Sequence, residues 1–190
     1  MMRIITGIAR GTHLYTLQGD ATRPTSERAK EALFSMLQNE VRGARVLDLF
    51  AGSGQLGLEA LSRGAAHAVF VDGAKGAVEI VRRNAERTHL APNAKIVQSD
   101  ALAYLRGCRE GPFDLVFLDP PYASGLLPGC LALLLSRALL SDGALIVTES
   151  GSAADVFGTD AELAEKFEIR KQNKYGIAYV TVLAANLSCG

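Results

Sequence analysis

Short apolar runs alternate with helical patterns along most of this chain, and the alternation limits what it can fold into. From Arg45 onward the apolar runs lie near residues 45–50, 68–72, 94–98, 113–118 and 143–149. Strands that alternate with helices predict a mainly parallel sheet with helices on its faces. With 190 residues and 48% hydrophobic content, the chain can bury one sizeable core, so we predict a single domain over residues 1–190.

The two ends of the chain add smaller elements to this sheet. Residues 1–25 predict a small hairpin and a polar connection, attached to a core at residues 26–190. That core begins with an amphipathic helix over Ser26–Asn39, because its apolar side chains recur at the spacing of one helix face. Residues 166–172 and 176–184 predict a second hairpin. These elements leave no room for a second full domain.

The segment Val46–Gly57 predicts a strand, a glycine-rich turn and a helix. Gly52 and Gly54 allow the backbone to turn tightly beside a ligand, and Gly57 allows the helix to pack closely on the sheet. This GxGxxG spacing fits NAD, FAD and S-adenosylmethionine sites alike. Asp48, at the end of the strand, would face a pyrophosphate with the wrong charge but suits a cationic ligand such as a sulfonium or an ammonium. It therefore argues against a dinucleotide.

Two further acids follow predicted strands. Asp72 closes the apolar run 68–71 and lies 20 residues after Gly52, a spacing typical of a carboxylate that accepts both ribose hydroxyls. A turn at Asp72 is the alternative, since Gly73 follows it. Asp100 follows the run 95–98 and could accept from an adenine amino group, or it could cap a helix. The two roles of Asp100 are compatible.

The tetrapeptide Asp119-Pro120-Pro121-Tyr122 comes directly after the apolar run Phe113–Leu118. Such a run predicts a buried parallel strand that opens into a crevice at its carboxyl end. The prolines hold the carboxylate of Asp119, the neighbouring carbonyls and the ring of Tyr122 in a fixed array. A carboxylate and a carbonyl can accept both hydrogens of a planar amine while an aromatic ring stacks on its base. A rigid strand-to-helix turn with a capping acid is the structural alternative.

Together these residues resemble the class I S-adenosylmethionine-dependent methyltransferases, and among them the RsmD-type family that methylates guanine N2 in small-subunit ribosomal RNA. The resemblance covers nearly the whole chain, and it also involves the segments Arg23–Arg28 and Gly57–Ala65. It implies a Rossmann-like α/β fold whose seven-stranded, mostly parallel sheet has an antiparallel last strand, plus the small N-terminal hairpin. It also implies direct methyl transfer without a metal.

The resemblance assigns roles to single residues. The guanine amine is implied to bind at Asp119, Pro120 and Tyr122. The implied contacts to S-adenosylmethionine are Asp48, Phe50, Ala51, Gly52, Ser53, Gly54, Asp72, Asp100 and Ala101.

The charge of the chain gives little long-range attraction to RNA, because 20 basic and 20 acidic residues cancel. Residues 1–30 are locally basic, with five basic and two acidic side chains. We therefore predict that Arg3, Arg10, Arg23 and Arg28 contact the RNA, with an ordinary solvated surface as the alternative. A patch of this size favours a folded substrate recognised partly by shape, such as an assembled or assembling ribosomal subunit.

The remaining composition predicts a cytoplasmic enzyme without a metal. Three cysteines, at 108, 130 and 189, show neither metal-ligand spacing nor an even count for a disulfide framework. The start of the chain does not resemble a signal peptide, and the apolar run 126–140 is interrupted by Pro128 and Arg137, so it falls short of a membrane span.

Three other functions stay open on the sequence alone. A DNA adenine-N6 methyltransferase shares the Asp-Pro-Pro-Tyr chemistry but normally needs a target-recognition region. A dinucleotide oxidoreductase would leave Asp48 and Asp119 without a purpose. A non-catalytic RNA-binding or ribosome-assembly module could keep the fold without transferring a methyl group.

Overall fold

The computed structural model describes residues 2–17, 27–121 and 124–186. Within them, seven strands form one sheet in the order β3-β2-β1-β4-β5-β7-β6. The strands are β1 (Arg45–Asp48), β2 (His67–Asp72), β3 (Ala94–Gln98), β4 (Phe113–Leu118), β5 (Leu140–Ser150), β6 (Phe167–Tyr175) and β7 (Ala178–Ala185). Neighbours among β1 to β5 pair in parallel, whereas β7 runs antiparallel to both β5 and β6. The predicted sheet, with its antiparallel last strand, is confirmed.

Helices cover both faces of this sheet. They are α1 (Glu27–Met36), α2 (Gln38–Val41), α3 (Gln55–Ser62), α4 (Lys75–Arg87), α5 (Ala101–Gly107), α6 (Leu126–Ser136) and α7 (Ala161–Glu165), with short 3-10 turns at Ala91–Asn93 and Ala153–Val156. Helices α1, α3 and α4 bury their apolar side chains on one face, where the rings of Phe34 and Phe117 lie 5.9 Å apart. Helices α5, α6 and α7 bury theirs on the other face. None of the helices described is long and apolar enough to cross a membrane.

The chain reverses its direction of travel across the sheet between β3 and β4. Strand β2 pairs with one side of β1, and β3 pairs with the outer side of β2. Strand β4 then pairs with the other side of β1. In open parallel sheets, ligands bind outside the carboxyl ends of the strands at this switch point. The fold therefore places a crevice between the ends of β1 and β4, where Asp48 and Asp119 stand.

The element boundaries differ modestly from the predicted ones. Strand β1 ends at Asp48 rather than at residue 50, because the backbone turns from Leu49 into the glycine-rich loop. The predicted helix over Ser26–Asn39 is interrupted at Leu37, whose side chain is fully buried, and a short helix follows. Ser26 lies outside the described residues. The C-terminal hairpin turns at residues 176–177, a little later than predicted.

The N-terminal hairpin is short and irregular. Three backbone hydrogen bonds of 2.8 to 3.0 Å join residues 2–4 to residues 11–14, around a bridge between Arg3 and His13. The backbone N–H groups of Ile5 and Thr6 donate to the carboxylate of Glu59 on α3, at 2.8 and 3.0 Å. That carboxylate satisfies the N–H groups beyond the paired residues, so the predicted hairpin forms without two regular strands.

Glu59 is the centre of a buried polar network. It is fully buried, accepts from the Nε of Arg63 at 2.8 Å, and lies 3.5 Å from the Nζ of Lys30. The Nζ of Lys30 also donates to the Arg3 carbonyl at 2.7 Å. Burial lowers the pKa of Lys30, and the charge of Glu59 opposes this shift. The network ties the N-terminal residues, α1 and α3 together.

We expect Glu59→Gln to destabilise the protein by about 3–5 kcal/mol, because breaking a buried pair leaves the other charge without compensation. The free energy of unfolding in urea measures this loss. Glu79→Gln is the matched control, since Glu79 and Arg82 form an exposed pair on α4 that should contribute no more than about 0.5 kcal/mol. Equal losses in the two variants would contradict a central role for Glu59.

Candidate active site

A cavity of about 420 Å³ opens at the carboxyl ends of β1, β2 and β4. Its volume lies in the range of small-molecule sites, roughly 300–1,000 Å³. The predicted residues that line it are Asp48, Phe50, Ala51, Gly52, Ser53, Asp72, Asp100, Ala101 and Asp119. Four carboxylates from separate parts of the sequence thus meet in one space. A set of this kind favours a ligand that carries positive charge and hydrogen-bond donors.

Asp48 is the most buried of these acids, with 3% of its surface exposed. Its Oδ2 accepts a hydrogen bond from the backbone N–H of Gly57 at 3.0 Å, which links the end of β1 to the first turn of α3. Burial raises the pKa of Asp48 to about 7, the Gly57 hydrogen bond opposes the shift, and the charge of Asp72 adds to it. A cation bound beside Asp48 would favour its ionised form.

Gly57 allows this link because of where it lies. A Cβ atom at Gly57 would fall 2.3 Å from the ring of Phe70 on β2, so α3 approaches the sheet more closely than a larger residue would allow. Gly54, in contrast, packs against Val81 behind the loop and is not among the residues that line the cavity. Its φ of +78° serves the turn into α3. The predicted cofactor contact at Gly54 stays a prediction.

Asp72 shapes the glycine-rich loop from the next strand. Its Oδ2 accepts from the N–H of Gly52 at 2.9 Å, and its Oδ1 accepts from the N–H of Ala74 at 2.8 Å. The second bond closes a turn at Asp72, which the sequence offers as the alternative to a ribose contact. Each carboxylate oxygen can accept more than one hydrogen bond, so these bonds leave capacity for a pair of hydroxyl groups in the cavity. Turn and ligand site are therefore compatible at Asp72.

Asp100 likewise has a local role and lines the cavity. Its Oδ1 accepts from the N–H of Ala103 at 2.9 Å and caps α5. The helix cap expected as an alternative is thus present. Ala101, the first residue of α5, is buried beside it. The cap fixes the carboxylate at the far side of the cavity from Asp48, where it can accept from an amine.

A second cavity, of about 450 Å³, adjoins the first at Pro121 and Leu126. Pro120 lines the second cavity and Asp119 the first. The Oδ1 atom of Asp119 is buried. The Asp-Pro-Pro segment therefore lies on the boundary between the first cavity and the second. Tyr122 lies outside the described residues.

Several residues of the first cavity had not been predicted, among them Met2, Pro121 and Leu126. Met2 comes from the N-terminal segment, and its Sδ lies 3.1 Å from the hydroxyl of Ser53. No local pattern in the sequence indicates that Met2 reaches the site. Pro121 and Leu126 could have been found, because they continue from the Asp-Pro-Pro-Tyr motif into α6.

The arginines predicted to contact RNA lie in different places. Arg28 is exposed in the first turn of α1. Arg3 donates two hydrogen bonds to the carboxylate of Glu27, both at 3.0 Å. Arg10 is exposed in a turn whose Ile8 N–H donates to the carbonyl of Ser62, at the end of α3 remote from the glycine-rich loop. Arg23 lies outside the described residues.

Within residues 2–17, 27–121 and 124–186, no cluster of three or more His, Cys, Asp or Glu side chains could hold a metal ion. Asp48, Asp72 and Asp100 accept hydrogen bonds from backbone N–H groups of the glycine-rich loop or of the helices α3 and α5.

The sequence and the fold both have close counterparts among known proteins. A family model described as "Conserved hypothetical protein 95" matches residues 2–184. Ribosomal RNA small subunit methyltransferase D of Escherichia coli (strain K12) is 41% identical over 150 residues, which is 78% of this chain and 74% of the relative. The chain belongs to this family. The resemblance to the RsmD family that the motifs predicted is therefore confirmed.

Other members of the RsmD family match over almost their full length. The YlbH protein of Bacillus subtilis (strain 168) is 36% identical over 95% of this chain and 97% of its own. The solved structure of yhhF from Escherichia coli has a TM-score of 0.85 and 35% identity, and covers 97% of both chains. Because the match covers 97% of both chains, the N-terminal segment and the C-terminal hairpin have counterparts in that structure.

We predict that Asp48 makes the protein less stable as the pH rises from about 4 to about 7. Its pKa is about 7 in the folded state and near 3.8 in the unfolded chain, so the unfolded chain loses its proton first. The folded state then loses on the order of 4 kcal/mol relative to the unfolded state over this interval. In Asp48→Asn, urea unfolding at pH 5 and pH 7.5 should show a smaller fall than in the wild type. The same fall in both proteins would contradict the buried, proton-binding state of Asp48.

Proposed function

We propose that this protein transfers a methyl group from S-adenosylmethionine to the exocyclic N2 of a guanine in small-subunit ribosomal RNA. The observation that carries the proposal is the meeting of four carboxylates in one cavity, directly beside a second cavity across the Asp-Pro-Pro segment. Membership of the family that includes ribosomal RNA small subunit methyltransferase D supports the same reaction. The whole chain, residues 1–190, is proposed to act as one catalytic domain.

The chemistry of the first cavity fits S-adenosylmethionine. This cofactor supplies an electrophilic methyl group on a sulfonium, and its ammonium, ribose hydroxyls and adenine amine are a cation and hydrogen-bond donors. The loop from Asp48 to Gly54 is proposed to hold the cationic amino-acid end. Asp72 is proposed to accept from the ribose, and Asp100 with Ala101 to hold the adenine. A dinucleotide would instead bring a pyrophosphate toward the buried Asp48, which is unfavourable.

The acceptor amine is proposed to bind at Asp119 and Pro120. The lone pair of guanine N2 is delocalised into the ring, so the amine is a weak nucleophile. Acceptance of its two hydrogens by the Asp119 carboxylate and the Pro120 carbonyl stabilises the nitrogen as it becomes pyramidal and positive in the transition state. The N2–C bond would form as the C–S bond of the sulfonium breaks, leaving a neutral thioether, and the proton lost from N2 would pass through the Asp119 carboxylate to solvent. Fixed placement of the acceptor supplies much of the rate.

Tyr122 is proposed to stack on the guanine and to fix the plane of its ring. This role rests on the sequence motif alone, because Tyr122 lies outside the described residues.

The alternatives fit less well. The DNA adenine-N6 reaction is not favoured, because the named relatives are ribosomal RNA methyltransferases. A purely structural role in ribosome assembly would leave the paired cavities and the array at Asp119 without a use. With ribosomal RNA as its substrate, the enzyme is proposed to act in the cytoplasm, on an assembled or assembling small subunit.

The RNA is proposed to approach along the edge where the parallel strands end. Helix α1 runs away from this edge, since its last turn lies beside Asp142 and Gly143 at the start of β5, so its first turn with Arg28 faces the edge. The turn between β6 and β7 lies at the same edge, because Tyr179 pairs with Ser150. There the Nζ of Lys174 lies 5.2 Å from the ring centre of Tyr179. Positive charge beside a half-buried aromatic ring suits RNA.

We expect Asp119→Ala to lower turnover on small-subunit RNA by at least about 100-fold, the usual loss when one group that stabilises the transition state is removed. Cofactor affinity, measured by calorimetry, should change by no more than about 3-fold, or about 0.6 kcal/mol. The reason is that Asp119 is proposed to bind the acceptor and not the cofactor. A large loss of cofactor affinity with unchanged turnover at saturation would contradict this assignment.

Arg28→Ala is expected to weaken binding to small-subunit RNA and to reduce the salt dependence of the binding constant by about one unit of slope, as for one lost phosphate contact. Arg10→Ala is the matched comparison. Arg10 is also exposed, but it lies near the C-terminal end of α3, away from the edge where the parallel strands end. Titrations at several salt concentrations measure both. A larger effect at Arg10 than at Arg28 would contradict an approach along the strand-end edge.

A further inference from the structure

The second cavity has a carboxylate whose role the proposed reaction does not yet include. Glu149, near the end of β5, lines this cavity together with Pro120, Pro121 and Ser150. Apolar walls come from Leu127, Pro128 and Phe157. This space of about 450 Å³ has polar as well as apolar walls, and its apolar walls belong to the face covered by α6 and α7.

Glu149 stands beside Asp119 in the sheet. Strand β4 pairs in parallel with β5, and Leu118 is opposite Thr148, so Asp119 and Glu149 follow at the same level. Neighbouring strands lie about 5 Å apart, and paired residues point to the same face of a sheet. Phe117 and Val147, which are paired two residues before Asp119 and Glu149, belong to the core of one face. Residues two apart in a strand point to the same face. The two carboxylates therefore project side by side from adjacent strands on the face covered by α1, α3 and α4, whereas the apolar walls of the second cavity belong to the opposite face.

The segment that follows Glu149 and β5 is held in place by local hydrogen bonds. Asp155 accepts from the N–H of Ser152 at 2.9 Å, and Asp160 accepts from the N–H of Leu163 at 2.8 Å and caps α7. These bonds fix the chain directly after β5 and so help to hold Glu149 at the end of its strand.

We propose that Glu149 selects guanine over adenine by accepting a hydrogen bond from guanine N1–H while Asp119 and Pro120 hold the adjacent N2 amine. The inference rests on the proposed function and names the group that reads its substrate. Guanine presents N1–H and the N2 amine side by side, so it offers donors to both carboxylates. Adenine presents a lone pair at N1, which a carboxylate repels. A carboxylate at this position thus rejects adenine even though adenine also carries a planar amine.

The test uses a base that differs from guanine at N1. In 2,6-diaminopurine the 2-amine is retained, but N1 is a hydrogen-bond acceptor. The probe is small-subunit RNA, within the small subunit if assembly proves necessary, with guanine or 2,6-diaminopurine ligated into the position that the wild-type enzyme methylates. The wild type should prefer guanine by about 10- to 100-fold in kcat/KM, the usual discrimination for one well-placed hydrogen bond to a base.

Glu149→Leu should remove most of that preference. Leucine neither accepts from guanine N1–H nor repels the lone pair at N1 of diaminopurine. We expect kcat/KM on guanine to fall about 10- to 100-fold, kcat/KM on diaminopurine to stay equal or rise, and cofactor affinity to stay unchanged. Asp142→Asn removes the same charge from the other end of β5 and should keep the wild-type ratio.

The outcomes separate the inference from the function on which it rests. If the wild type methylates guanine N2 and Glu149→Leu keeps the wild-type ratio between the two bases, Glu149 does not read N1 and the inference is wrong. If the variant loses activity on both bases equally, Glu149 has a structural role and the inference is again wrong. If the wild type places no methyl group on guanine N2, the proposed function fails and the inference fails with it.

Discussion

The common direction of β1 to β5 decides where the polar groups of this protein can act. Because parallel strands end at one edge, the residues at or just after their carboxyl ends are brought together, however far apart they lie in the sequence. Asp48, Asp72 and Asp119 meet in this way, and the switch of direction between β3 and β4 opens the space between them. Burial raises the pKa of Asp48, and the neighbouring charge of Asp72 adds to this shift, so the gathered carboxylates are unfavourable without a ligand. A cationic cofactor relieves this repulsion.

The N-terminal segment belongs to this site more than its position in the chain indicates. Buried polar side chains of α3 and α4, namely Glu59 and Asn84, hydrogen-bond backbone groups of this segment and hold it in place. Asn84 accepts from the N–H of Tyr15 at 2.8 Å and donates to the carbonyl of Ser53 in the glycine-rich loop, also at 2.8 Å. Met2 lines the first cavity. The segment therefore supports the loop that is proposed to hold the cofactor, and a change in the Glu59 network can reach the site through it.

Local patterns were enough to predict most of the fold and much of the site. Strand β4 has the predicted bounds, and the acids of the first cavity were found because each one follows an apolar run. Met2 and Glu149 could not be found in this way, since their places depend on which elements lie side by side. The hairpin without regular strands was missed for a similar reason: a glutamate within a helix gives no local sign that Glu59 is buried and accepts backbone N–H groups.

The central claim is that the paired cavities transfer a methyl group to guanine N2 of small-subunit RNA. The most direct test incubates the purified protein with methyl-labelled S-adenosylmethionine and, separately, naked small-subunit RNA, undermethylated small subunits and DNA, and then identifies the labelled nucleoside. The account predicts N2-methylguanosine in small-subunit RNA, with the strongest labelling in the assembled subunit. Label in DNA as N6-methyladenine, or no label in any acceptor while the cofactor still binds, would contradict it.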